Sequence, residues 1–224
     1  MTWWAADYAK RKIVTPQSAH ISADLDNVTV RVRFNGDTDI TTSVVRPDLR
    51  DFRFYLPDGT PLKHELLNGY TVDGTSCTAV FEVYLPGTAA LKTSPTGTDN
   101  DIHCYYSKAD ATDASDPPNS WHSRYKFVTH MQDDPHWVNP TPQMLSAVGP
   151  DGSENGAMTI ADLIAGEQSG CKAIQFDGAN DGMDYPDADA GDMDFGAGQD
   201  FSVSGLIKCD FNDDSIINKH WDER

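Results

Sequence analysis

The sequence has almost no glutamate. Of its 35 acidic residues only Glu65, Glu82, Glu154, Glu167 and Glu223 are glutamate, and all the others are aspartate. Aspartate forms helices poorly and turns well, because its short carboxylate competes for nearby backbone N–H groups. Positive charge is also scarce: 17 Lys and Arg leave a formal net charge of −18. A surface this negative repels phosphate backbones and anionic headgroups, which excludes nucleic acid and membrane as natural partners. The cysteines Cys77, Cys104, Cys171 and Cys209 form no C-x-x-C pair, which excludes a zinc ribbon and thioredoxin-like chemistry. No G-x-S-x-G elbow is present and no cysteine has a recognisable histidine context, so nucleophilic catalysis has no visible seat. There is no long apolar run, and the opening "MTWWAADYAKRKIV" carries acids and bases where an export signal needs an apolar stretch. The expected location is a virion surface or the cell exterior, reached without a signal peptide in this chain.

What is abundant is turn chemistry. With 17 Gly and 13 Pro beside the aspartates, the chain reads as many strands joined by many turns. "VTVRVRF" puts Val28, Val30, Val32 and Phe34 on one face and Thr29, Arg31 and Arg33 on the other, the period of a half-buried strand. "DFRFYL" repeats the pattern with Phe52, Phe54 and Leu56 before a "PDG" turn, "CTAVFEVYL" with Cys77, Ala79, Phe81, Val83 and Leu85, and "DIHCYYS" with Ile102, Cys104 and Tyr106. Val30, Val32, Phe34, Phe52, Phe54, Phe81, Val83 and Ile102 are expected to share one core. The strands of Cys77 and Cys104 are expected to pair, with both thiols buried.

Residues 1–107 therefore read as an antiparallel β-sandwich and residues 108–121, small and polar with two prolines, as a linker. Residues 122–224 read as a second sandwich that stops short of its full strand count. "YKFVTHM", "CKAIQFDG" and "FSVSGLIKCDF" are its strands, and "MTIADLIAG" holds a short turn of helix. Charge follows the same division: residues 1–63 hold 9 Lys or Arg against 8 acids, and residues 64–224 hold 8 against 27.

These stretches resemble a known pair of modules. "DFRFYLPDGTPLKHEL" and "IHCYYSKADATDASDP", with Trp4, Tyr8 and "KRKIV" at the start, resemble a small β-sandwich domain of unknown function. "GPDGSENGAM", "GCKAIQFDGANDGMDY" and "FSVSGLIK" are similar to segments of a concanavalin A-like, laminin-G-type jelly roll, which commonly follows that domain. The resemblance implies an all-β fold of two sandwiches in tandem. It implies little about function, because the same sandwich hosts lectins, hydrolases and structural spacers.

Three kinds of site are conceivable. The loop with Asp177, Asp181 and Asp184 could gather the oxygens that calcium needs, contact a sugar, or simply turn between strands. Trp137 with Asp133, Asp134 and Asn139 offers an aromatic plate and polar groups for a carbohydrate. His122, His130 and His136 follow no metal-ligand spacing and read as surface or turn histidines. Some jelly rolls of this shape cleave polysaccharides through an E-x-D-x-x-E strand; here the glutamates are scattered, so no enzyme activity is expected. The leading expectation is a non-catalytic, oligomeric surface or fibre component, such as that of a virion, with other subunits and a cell-surface glycan as partners. The rivals are a purely structural assembly subunit and a fragment of a secreted glycan-degrading protein.

Overall fold

A computed structural model describes residues 3–88, 90–136, 144–186, 193 and 198–208. Contacts divide the chain into a unit Met1–Met193 and a unit Asp194–Arg224. The fold is all-β, as expected. Eight strands build the first part: β1 (Lys10–Val14), β2 (Val28–Asp37), β3 (Arg53–Tyr55), β4 (Pro61–Leu62), β5 (His64–Leu66), β6 (Thr71–Val72), β7 (Cys77–Leu85) and β8 (Ile102–Tyr106). They form two antiparallel sheets, one in the order β1-β8-β3-β4 and one in the order β2-β7-β5 with β6 also on β7.

The alternating side chains explain why these sheets face each other. Val32, Phe34, Phe52, Phe54, Phe81, Val83 and Ile102 are all buried in one cluster, and Val30 packs against it. Phe81 is its hub: Phe52 stacks on it at 5.0 Å between centroids and Phe54 meets it edge-on at 5.2 Å, favourable arrangements for aromatic pairs. Cys77 and Cys104 are both buried and free, but their strands do not pair. Strand β7 lies in one sheet and β8 in the other, so the thiols enter the core from opposite sides.

Both sheets are also covered on their outer faces, which strict alternation does not anticipate. On β8, His103 and Tyr105 are as buried as their inward neighbours, because the segment before β1 folds over them and packs Ala5 and Tyr8 onto Tyr105. Trp4 lies across the turn at Gly59, where a Cβ would sit 2.6 Å from the indole and φ is +94°, so only glycine suits this position. The outer face of the other sheet is covered by the segments around Trp121, His130 and Gly170. Thr29 donates to the Ser120 carbonyl at 2.6 Å, and a side chain on Gly170 would meet Thr78 and Val80. The stretch expected as a linker is thus fixed to the sandwich: Asp116 N–H donates to the His64 carbonyl, Lys63 pairs with Asp116 at 2.6 Å, and Ser120 is fully buried.

Downstream, six short strands among the described residues make three separate two-stranded antiparallel ribbons. Strand β9 (Val128–Thr129) pairs with β10 (Ser146–Val148), β11 (Ser153–Asn155) with β14 (Gly182–Asp184), and β12 (Leu163–Ala165) with β13 (Lys172–Ile174). The expected helical turn is a 3-10 turn at Ile160–Asp162, closed by a reciprocal cap between Thr159 and Asp162, the arrangement that satisfies two orphan N–H groups at once. "YKFVTHM" contributes only two residues of strand. Residues 201–208 were expected to form a strand and do not; they are exposed, with Leu206 at 79%. Alternation marks a strand only where a partner supplies the ladder hydrogen bonds.

Candidate functional site

Sequence order separates one buried polar group, and strand register assembles it. Arg31 on β2 lies opposite Glu82 on β7, and Glu82 lies opposite Glu65 on β5, so the three side chains form one row on the outer face of the second sheet. Arg31 reaches the Glu82 carboxylate at 2.7 Å through Nε and 2.5 Å through a terminal nitrogen. Its remaining arm donates to Gln168 at 3.0 Å. Glu65 receives Trp121 Nε1–H at 2.7 Å and faces His130 Nε2 at 2.8 Å. Glu65 and Glu82 are 4% and 3% exposed.

Two carboxylates directly opposite each other on one strand pair repel, and burial raises the cost of ionising either. Burial pushes the Glu82 carboxyl up; the guanidinium of Arg31 pulls the other way without reversing the direction. The group is a joint: Arg31, Glu65 and Glu82 belong to the sandwich, and Trp121, His130 and Gln168 come from the covering region. Nothing about Glu65 or His130 separately suggested this. The available signal was an acid inside an apolar run, as in "HEL" and "FEV", where a charge is retained only with a partner.

A second feature is the outer face of the first sheet. Register places Ile13 opposite His103 and Arg11 opposite Tyr105 on one side, with Tyr55 and Arg53 on the other. Trp3 packs edge-on against Tyr105 at 5.3 Å, and the Arg11 guanidinium sits 5.1 Å from the Trp3 ring centre. Trp3, Trp4 and Ile13 are about two-fifths exposed. Beneath them both ring nitrogens of buried His103 lack hydrogen-bond partners, and burial lowers its pKa.

The third feature is a cleft of about 200 Å³ at one end of the sandwich, lined by Asp48, Arg50, His64, Asn68, Tyr70 and Asp113 among others.

The residues expected to bind sugar or calcium fall differently. Trp137 and Asn139 lie outside the described residues. Asp133 accepts from Asn68 Nδ2 at 2.6 Å and from Leu145 N–H at 3.0 Å, so it ties a sandwich loop to the covering region; burial raises its pKa. Asp134 accepts from the His136 backbone at 2.9 Å. In the acidic loop, Asp177 accepts from Ala179 and Asn180 N–H at 2.8 and 3.3 Å, and its own N–H donates to Asp181 at 2.9 Å. Asp184 sits on β14 and accepts from Asn155. Among the described residues no three His, Cys, Asp or Glu side chains gather as a metal site. His130 is no surface histidine, since Glu65 holds it. Comparison with family models, curated proteins and solved structures returned no match.

Proposed function

We propose that this chain is a non-catalytic subunit of an adhesive assembly outside the cell, with a virion surface or fibre protein as the leading case. The observation that carries the reading is the outer face of the first sheet, where Trp3, Trp4 and Ile13 are exposed around a stacked Arg11. Clustered Trp, Tyr and Arg are what binding hot spots are made of, and an exposed apolar patch marks an interaction surface. Charge suggests the occupant. The exposed residues of this face, Trp3, Trp4, Arg11 and Ile13, belong to residues 1–63, which hold 9 bases against 8 acids, whereas residues 64–224 carry 27 acids against 8 bases. The acidic surface of a second copy is complementary to it.

The non-catalytic part of the reading is supported by the fate of the carboxylates. Glu65 and Glu82 stand side by side as an acid–base pair might, yet they are buried and engaged by Trp121, His130 and Arg31. A tandem of a small sandwich with a concanavalin A-like jelly roll belongs to the same proposal, and with it an adhesive glycan-binding role. Sedimentation velocity over a range of concentrations and salt, together with a glycan array with and without calcium, tests it. The expected result is salt-sensitive self-association that Trp3→Ala with Trp4→Ala abolishes, and binding to at least one glycan. A chain that stays monomeric and binds no glycan overturns the reading.

A further inference from the structure

We propose that the free edge of strand β2 docks an extended strand from another chain, one that alternates apolar with acidic residues. Strand β2 ends its sheet, with β7 on one side and no strand among the described residues on the other. The ladder fixes which backbone groups face outward. Tyr84 N–H donates to the Lys63 carbonyl and Leu67 N–H to the Val80 carbonyl, so Val80, Glu82 and Tyr84 turn their backbone groups towards β5 and its flanks. Alternate residues of an antiparallel strand bond to opposite sides. Ala79, Phe81, Val83 and Leu85 therefore serve β2, where they pair with Phe34, Val32, Val30 and Val28. Thr29, Arg31 and Arg33 are left with their N–H and C=O groups aimed away from the sheet, and among the described residues none of these groups has a backbone partner. Arg31 and Arg33 are exposed, so the edge is open to solvent. Val28 and Val30 point inward yet are only partly buried.

Charge selects the occupant. An unpaired edge is a template for any strand, but the antiparallel register that pairs all three free residues with those of a second copy puts Arg31 opposite Arg31. Like charges directly opposite destabilise a ladder, so copies of β2 are kept apart. Arg31 is already engaged by Glu82 and Gln168, whereas Arg33 is exposed and has no ion pair among the described residues. Directly opposite residues share a face, so an acid opposite Arg33 supplies the missing charge. The alternate residues of the same strand fall on the inward face and extend the apolar row of Val28 and Val30. Main-chain bonds would give such a strand affinity and its alternating side chains specificity. This edge and the Trp3 face belong to different sheets, and the two surfaces stand or fall separately.

Hydrogen exchange read by NMR on the whole chain tests the site, with a short acetylated peptide alternating valine and aspartate as the probe. In the free chain the amides of Thr29, Arg31 and Arg33 should exchange fast while those of Val30 and Val32 stay slow. At millimolar peptide the first three should slow about tenfold, as for a site roughly nine-tenths occupied. Methylating the aspartate nitrogens, which the register turns towards β2, should abolish that protection; methylating the valine nitrogens should preserve it. Arg33→Glu changes an exposed side chain, and it should weaken the valine–aspartate peptide about tenfold and admit a valine–lysine peptide instead. Unprotected amides at millimolar peptide, equal protection by the valine–lysine peptide in the wild type, or identical behaviour of the two methylated peptides overturns the site. Protection that vanishes in Trp3→Ala with Trp4→Ala overturns the assignment to β2, whereas protection in a chain that never self-associates upholds the edge and sinks only the Trp3 reading.

Discussion

Strand β7, "CTAVFEVYL", and ribbon β12–β13, built from "LIA" and "KAI", are comparably apolar, yet seven of the nine residues of β7 are buried and none of the six ribbon residues is. The difference lies in what surrounds them. Strand β7 has β2 on one side and β5 and β6 on the other, the first sheet against its inner face and the segments around Trp121, His130 and Gly170 against its outer face. The ribbon β12–β13 has one partner per strand. Burial is thus set by the number of layers that close over an element, and apolar composition only permits it.

The sharpest test of that contrast is truncation at matched positions. Phe54→Ala should lower the unfolding free energy by about 3–5 kcal/mol, the range for deleting a buried aromatic, because Phe54 is 1% exposed and touches Phe81 and His64. Ile164→Ala on β12, 38% exposed, should cost under about 1 kcal/mol. Chemical denaturation measures both. Equal costs would mean that the ribbons share the sandwich core.

Next in size is an acid-sensitive term confined to the sandwich. His64 has a folded pKa of about 4 against 6.5 unfolded, so below 6.5 the unfolded chain binds a proton that the folded chain refuses. The stabilisation is complete above pH 6.5 and is lost as pH falls towards 4, by roughly 3 kcal/mol over the window. His103 shifts in the same direction and adds to the slope. Stability curves at several pH values should show this fall, and His64→Phe should flatten most of it. An unchanged slope in the variant would assign the acid sensitivity to other groups.

A smaller effect should separate the two regions outright. Glu65→Ala leaves the Trp121 indole N–H and His130 without their acceptor, at about 1–3 kcal/mol for the stranded polar groups. Hydrogen exchange should then accelerate across residues 121–136 and 144–186 and remain slow in β2 and β7. Uniform acceleration would show that the covering region and sandwich unfold as one.

The inward set of each long strand could be read directly, since Val32, Phe34, Phe81 and Ile102 alternate and the core uses them all. The outer cover could not, because Glu65 and His130 are 65 residues apart and no local period reports such a contact. Glu65 and Glu82 are scattered in sequence and adjacent through the β5–β7 register alone. The cleft was invisible for the same reason: Asp48, His64 and Asp113 converge from three segments. "FSVSGLIK" shows the converse, a clear period in residues that have no strand partner among those described.

The smallest expected effect decides what the aspartates of the open region do. Asp177 could serve its loop as a hydrogen-bond acceptor or as a charge for a cation, and the two roles differ in which substitution matters. As an acceptor, its Oδ1 closes the turn onto Ala179 and Asn180, a task that an asparagine carbonyl oxygen performs equally well. Asp177→Asn should therefore melt with the wild type, whereas Asp177→Ala should lose about 0.5–1 kcal/mol, the low end of removing a capping side chain. The backbone N–H groups of Ala179 and Asn180 that donate to this carboxylate also hold the Asp177 pKa down without any ion. If instead calcium raises the melting temperature of the wild type and Asp177→Asn abolishes that rise, the carboxylate charge is what the loop needs, because a ligand specific to the folded state stabilises it by mass action. The turn would then be the scaffold of a cation site, and the open ribbons would acquire the missing layer of this comparison from an ion.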